Sequence, residues 1–245
     1  MTARSKRDAG GALPVWERPE PTSRPAPSPL SREKIVRAAM AIADEGGLAS
    51  VSLRKVAASL DAGPMRLYGY VANKEELLEL MVDEVYGEMA SAGPTDGDWR
   101  AALRTIAHGI RRAAKEHGWF VDLMGGRPPR GPNALAHQEG TFAALAGTPG
   151  FEDIDVAMQA LRIANAYVIG AIRVEAGELR AELESGMDKA EWQAARGPYM
   201  ERMISTGRYP NLARVIREAT IPPVDVEFDR GLDRVLDGIA AHLPR

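Results

Sequence analysis

Only Asp61, Ala62 and Gly63 separate Leu60, the end of one short apolar-patterned segment, from Pro64, which opens the next. A first helical turn has no partner for its backbone N–H groups, and proline has neither that N–H nor freedom in φ, so Pro64 predicts a helix start. The segment before it opens on Ser52, a capping residue, and places Leu53, Val56, Ala57 and Leu60 on one face, with Arg54 and Lys55 outward. Val51 can staple onto Val56 and fix the chain's approach. Two short helices joined by a three-residue turn are the signature of a helix-turn-helix, and this tight link constrains the rest of the reading.

The flanks extend the pattern. Ser31 predicts an N-cap, Leu30 and Ile35 have the spacing of a hydrophobic staple, Ile35, Ala39, Ile42 and Ala43 share a face, and Gly46 and Gly47 stop the helix. After the turn, a third helix over residues 64–71 turns Leu67 inward and leaves Met65, Arg66, Tyr68, Gly69 and Tyr70 for other surfaces. Asn73 with Glu76 three residues on predicts a capped fourth helix, whose stripe is Leu77, Leu78, Met81, Val82 and Val85.

Upstream, Pro14, Pro19, Pro21, Pro25, Pro27 and Pro29 crowd a segment with few large apolar residues, which predicts a flexible arm over residues 1–30. Downstream, strand-like alternation is nearly absent. Helices are expected over residues 98–117, 133–146, 152–183 and 227–243, with a Gly/Pro-rich loop from Gly125 to Pro132. The helix over 152–183 carries apolar residues around much of its circumference, so burial on several sides is expected. The fold class is therefore all-α: a Pro-rich arm (1–30), a helix-turn-helix head (31–82) and a larger helical body (83–245).

Charge follows the same division. Residues 1–76 hold 12 Lys/Arg against 9 Asp/Glu and the remainder 19 against 25, a mildly cationic front and an anionic body. Cysteine is absent, which excludes disulfides, thiolate nucleophiles and Cys-ligated zinc. No run approaches the roughly 18 to 20 apolar residues of a membrane helix, and no apolar signal core follows the basic N-terminus, so a cytoplasmic protein with no membrane partner is expected.

The segments "SLRKVAASL", "LYGYV" and "NKEELL", in this order and spacing, resemble the DNA-binding head of the tetracycline-repressor (TetR) family of transcriptional regulators over about residues 31–86. The "FDRGLDRVLDGIAAHL" ending resembles the close of that family's C-terminal domain. The resemblance implies a homodimer in which two late helices pair with their copies in a four-helix interface. It also implies a body pocket for a small-molecule inducer and an operator of double-stranded DNA. Two positions depart from the family pattern: Asp61, where glycine is usual, and Gly69, where a larger side chain is usual.

Met65, Arg66 and Tyr70 are expected to face base edges, Arg66 having the fork that pairs with guanine. Tyr68 and Lys74 resemble the family's phosphate-contacting positions, and Arg54 and Lys55 add charge. Arginines in the arm, Arg4, Arg7, Arg18 and Arg24 among them, could enter a minor groove. Apolar walls with a few polar groups make Trp119, Phe120, Met124, Phe142, Met158, Arg162 and Asn165 the candidate ligand-binding residues, Arg162 and Asn165 sharing a helix face.

Enzymatic signatures are missing: there is no phosphate-cradling Gly loop, G-x-S-x-G or H-E-x-x-H. No catalytic residue, cofactor or metal is expected, since His108 and His117 are nine apart and the acids at 152, 153 and 155 suit a helix N-terminus without a metal. The sequence reads as a sequence-specific repressor released by an inducer. The alternative is an interaction or ligand-carrying module without specific DNA binding, and Gly69 is what favours it.

Overall fold

The structure is a computed structural model that describes residues 13–21, 29–89 and 98–244. Among these residues all regular secondary structure is helical: α1 (Arg32–Gly46), α2 (Leu53–Ser59), α3 (Pro64–Leu67), α4 (Lys74–Glu88), α5 (Trp99–Glu116), α6 (Phe120–Leu123), α7 (Pro132–Ala143), α8 (Ile154–Ser185), α9 (Lys189–Ser205), α10 (Pro210–Glu218) and α11 (Val224–Ala241).

The capping residues act as their types dictate. Ser31 Oγ accepts from the Lys34 N–H, Ser52 Oγ from Lys55 and Asn73 Oδ1 from Glu76, each satisfying an amide the helix cannot. Glu76 reaches back to the N–H of Ala72 at 2.7 Å, one residue before the cap. Asp61 has φ = +50°, the left-handed region, so an acid with a Cβ stands where glycine would be unstrained. That is the physical reason for a glycine at this turn.

The chain forms two compact units, one comprising Met1–Ser91 with Glu116–Gly140, the other Ala92–Lys115 with Thr141–Arg245. The first thus holds α6 and most of α7 beside α1–α4, whereas a single boundary after residue 82 would have assigned them to the body. Its core is apolar: Ile35, Ala39, Val56, Leu67, Val71, Leu77 and Met81 are shut off from solvent. A carboxylate from α4 is also built in. Asp83, buried, accepts from the N–H groups of Asn133 (3.3 Å) and Ala134 (2.9 Å) and so caps α7 from another helix. A side chain at Gly131 would collide with the Asp83 carboxylate, so this cap requires glycine there.

In the second unit α11 packs along α8, and an ionic ladder ties α5 to α11. Arg100 pairs with Asp237 (2.9 Å), Arg104 with Asp233, His108 with Asp229 (3.0 Å) and Arg111 with Asp225 (2.6 Å). Acids at every fourth position of one helix thus meet bases of an antiparallel neighbour. Arg111 alone among these four bases is both buried and doubly engaged: it grips Glu175 on α8 through two hydrogen bonds (2.8 and 3.1 Å) and lies 4.6 Å over the Phe228 ring. Burial by itself raises the Glu175 carboxyl, yet hydrogen bonds from Arg111 and Lys115 and their charges outweigh it and hold the group below its ordinary value.

Within the single chain α8 is not buried on several sides. Its buried residues are Ala157, Ala160, Ala164, Val168 and Ile172, one narrow stripe, while Val174 (74% exposed), Leu179 and Leu183 (76%) are open. Residues 13–21 of the arm depart from a flexible tail, since Val15 is 2% exposed and Arg18 is paired with Glu76, while Arg4, Arg7 and Arg24 lie outside the described residues. No helix among the described residues is long and apolar enough to cross a membrane.

Candidate DNA-reading head and effector body

A helix that reads DNA must be held from behind while its outer face stays free. In α3 the holding residue is Leu67, fully buried, and Val71 continues the seal. Pro64 starts the helix as expected, but regular α geometry ends at Leu67 and the chain continues in turns through Tyr70. Met65 is 79% exposed, and Arg66 and Tyr68 also face solvent.

Tyr70 does not join them. It is 5% exposed and its hydroxyl donates to the Leu30 carbonyl at 2.9 Å, so its role is to clamp the end of the recognition segment onto the start of α1. The expectation that it meets base edges is corrected, because an aromatic at this helical position completes the core. Arg54 and Lys55 are exposed on α2. Lys74 is half-buried and its ammonium donates to the Leu48 carbonyl at 3.0 Å, leaving two of its three protons for another acceptor. Glu75 and Glu76 fill the first turn of α4, which weakens the anion site that a bare helix N-terminus would offer.

Gly69 is exposed, and the arm approaches it from one side. A Cβ there would stand 3.0 Å from Pro21 Cγ, tighter than an ordinary contact, so the arm rests where a larger residue would project.

Sequence reasoning missed a cluster in the same unit. His117 donates or accepts at both ring nitrogens, to Asp44 of α1 (2.8 Å) and Glu88 of α4 (2.9 Å), and Trp119 donates its indole N–H to the same Asp44 oxygen (2.7 Å). Burial by itself lowers the His117 pKa, but the two carboxylates, by hydrogen bond and charge, raise it above its ordinary 6.5. Only the isolation of His117 in sequence hid it, since Asp44 and Glu88 are 73 and 29 residues away.

The seven ligand candidates are divided between the two units. Trp119, Phe120 and Met124 are buried in the first unit, Trp119 committed to Asp44 and Phe120 set edge-on to Tyr86 at 5.9 Å, so these three serve as core. Phe142 and Met158 are half-buried and Arg162 and Asn165 exposed in the second unit. Met158, Arg162 and Asn165 share one face of α8 by helical spacing. An open groove along α10, lined by Asn211, Arg214, Val215, Glu218 and Ala219, includes none of the seven. Among the described residues no three His, Asp or Glu side chains gather as a metal site would need.

Comparison with known proteins fits this division of labour. Residues 92–243 match the family described as tetracyclin repressor-like, C-terminal domain. The chain belongs to the tetracycline repressor-like family. The regulator is 36% identical over 228 residues to the HTH-type transcriptional repressor DrrR1 of Streptomyces coeruleorubidus, covering 92% of this chain and 83% of that one. It is 34% identical to an HTH-type transcriptional regulator of Saccharopolyspora erythraea, over 98% of each. Among solved structures, the TetR family protein ActR of Streptomyces coelicolor in complex with actinorhodin superposes with a TM-score of 0.75 at 26% identity, over 89% of this chain and 99% of that one. The regulator is thus a DNA-binding transcriptional regulator, whose family works by binding and not by catalysis.

Proposed function

We propose that the regulator is a repressor that grips an operator through its helix-turn-helix head and lets go when a small molecule binds its body. The carrying observation is the exposed set Met65, Arg66 and Tyr68 on a segment held rigidly by Leu67, Val71 and the Tyr70 clamp. Arg66 pairs with a guanine edge and Met65 meets a thymine methyl group, while Tyr68, Lys74, Arg54 and Lys55 contact phosphates. Residues 31–82 supply the reading and the body supplies effector binding and dimerisation, with the protein acting in the cytoplasm where its operator lies.

The homodimer forms through the late helices α8 and α11, and the open apolar residues of α8 support this. For the effector, Phe142 and Met158 provide apolar contact and Arg162 and Asn165 polar groups. ActR, a relative of comparable fold, is known in complex with actinorhodin, which supports a ligand in the body of this chain also. Such a ligand acts by binding the operator-incompetent state better, since equal affinity for both states shifts nothing.

The test is an anisotropy titration against duplex DNA from upstream of the regulator's own coding sequence, alongside a duplex that the wild-type chain selects from a random pool. Binding to the selected duplex that resists excess unrelated DNA and weakens linearly with log salt is the expected outcome. A failure to select any duplex contradicts the reading.

A further inference from the structure

Residues 13–21 cross the head as a strap held at four points. Val15 is buried, and the half-buried Trp16 lies beside it in sequence. Arg18 pairs with Glu76 in the first turn of α4, and the Arg18 carbonyl accepts from Arg32 Nη2 at 2.8 Å. Glu20 accepts from the backbone N–H of Arg32 at 3.0 Å, placing a carboxylate at the N-terminus of α1. Pro21 rests on Gly69.

These points surround the recognition segment. Gly69 lies in the turn that follows α3, its N–H donating to the Arg66 carbonyl at 3.3 Å, so Pro21 rests on the chain that leaves the recognition helix. Arg32, which holds the strap, also donates from Nε to the carbonyl of Tyr70, the residue after Gly69, at 3.4 Å. Glu76, which holds Arg18, caps Ala72 two residues beyond Tyr70. The strap therefore contacts both the chain that leaves α3 and the helix that anchors it.

We propose that residues 13–21 are a working part of the DNA-reading head, with Arg18 and Gly69 as positioning residues that fix the attitude of Met65 and Arg66 toward the operator. Because Arg18 holds Glu76 through Nη2, the contribution assigned to it is geometric. Gly69 acts as a seat: a Cβ there would press on Pro21, which would have to shift by a few tenths of an ångström. The α3–α4 turn is only a few residues long and α3 itself has a single turn of regular helix, so it needs support from outside, and the strap provides it.

This inference rests on the DNA-reading assignment, and the experiment separates the two. Full-length wild type, Arg18→Ala, Arg18→Lys, Gly69→Gln and the double variant Arg18→Ala/Gly69→Gln are titrated against the duplex selected by wild type, at several salt concentrations. Two groups that act as one unit show non-additive losses: each single variant is expected to weaken binding about ten-fold and the double variant no further than the weaker single one. Arg18→Lys, which keeps the charge facing Glu76, recovers most of what Arg18→Ala loses. The salt slope stays as in wild type, whereas loss of a direct phosphate contact would lower it by about 0.9.

Near-wild-type affinity in both single variants, fully additive losses, or a reduced slope in Arg18→Ala overturns the strap while leaving the reading of DNA intact. Absence of selective binding by wild type overturns both. Thermal melting of each variant guards the interpretation, and Gly69→Gln, at an exposed position, keeps the test decisive if Arg18→Ala lowers head stability.

Discussion

Helices α1 and α4 bury Ile35, Ala39, Leu77 and Met81 completely within the chain, whereas α9 buries no side chain at all and the second half of α8 leaves Val174, Leu179 and Leu183 to solvent. Both regions carry large apolar side chains, but only the first finds its partner inside one chain. Its stability comes from an apolar core finished by caps: Ser31, Ser52, Asn73 and the cross-helix carboxylate Asp83. The second unit leans on charge, with Arg111 drawing α5, α8 and α11 together, and it still leaves apolar surface uncovered. A head that closes on itself is suited to present one rigid face to DNA. A body that does not close by itself is suited to complete its packing with a second copy.

The contrast between the two units breaks most visibly at Arg111. Arg111→Ala leaves Glu175 with only Lys115 and strips the cover from Phe228, and because Glu175 is half-buried and keeps that partner the loss is expected at the low end for a buried pair, about 3 kcal/mol. Chemical denaturation should show that loss in the body's transition. In the head, Leu67→Ala removes a fully buried side chain from beneath the recognition segment, and is expected to cost about 3 kcal/mol and to abolish operator binding.

At the uncovered surface, Val174→Glu with Leu183→Glu should leave the single chain folded and shift sedimentation from dimer to monomer. Wild type, if a second copy covers this surface, melts at a temperature that rises with protein concentration, and the variant does not. Equal sedimentation of the two proteins would show that the dimer forms elsewhere.

His117 sharpens the account of the head. Its folded pKa is raised by Asp44 and Glu88, so the stability it contributes is full below its ordinary value of 6.5 and is lost as pH rises through the higher folded value. The melting temperature of wild type should therefore exceed that of His117→Gln in mildly acidic buffer and converge on it at alkaline pH. Comparison with the variant removes the opposite contribution of His137, whose pKa burial lowers. A constant difference across pH would mean that the ring acts only by packing. The smallest effect is at Asp61: Asp61→Gly relieves a left-handed φ and should stabilise the head by about 0.5 to 1 kcal/mol, measured by thermal melting.

Local chemistry makes the head legible in the sequence. Ser31, Ser52, Pro64 and Asn73 act within a few residues of themselves, so their caps and turns follow from spacing. Relations between distant residues do not. Arg18 and Glu76 lie 58 positions apart, and nothing in a Pro-rich arm announces that Val15 will be buried. Tyr70 escapes a sequence reading because periodicity within one turn of helix cannot separate a core aromatic from an exposed one. The helix α9 does not stand out in the sequence because Pro198 interrupts it, whereas α10 carries a signal that the expected helices omit, Pro210 at its first position and Leu212, Val215 and Ile216 at helical spacing. The acids at 225, 229, 233 and 237 repeat every four residues, yet their meaning emerges only when α5 lies antiparallel to them.

The central claim is that the exposed face of α3 reads base edges. Its most direct measurement is the affinity of wild type and Arg66→Ala for the duplex selected by wild type and for unrelated DNA, at one salt concentration. The account predicts that Arg66→Ala loses about 1 to 3 kcal/mol on the selected duplex and much less on unrelated DNA, so that selectivity collapses. An equal loss on both would make Arg66 a phosphate contact, and no loss on either would contradict the assignment of this face to the operator.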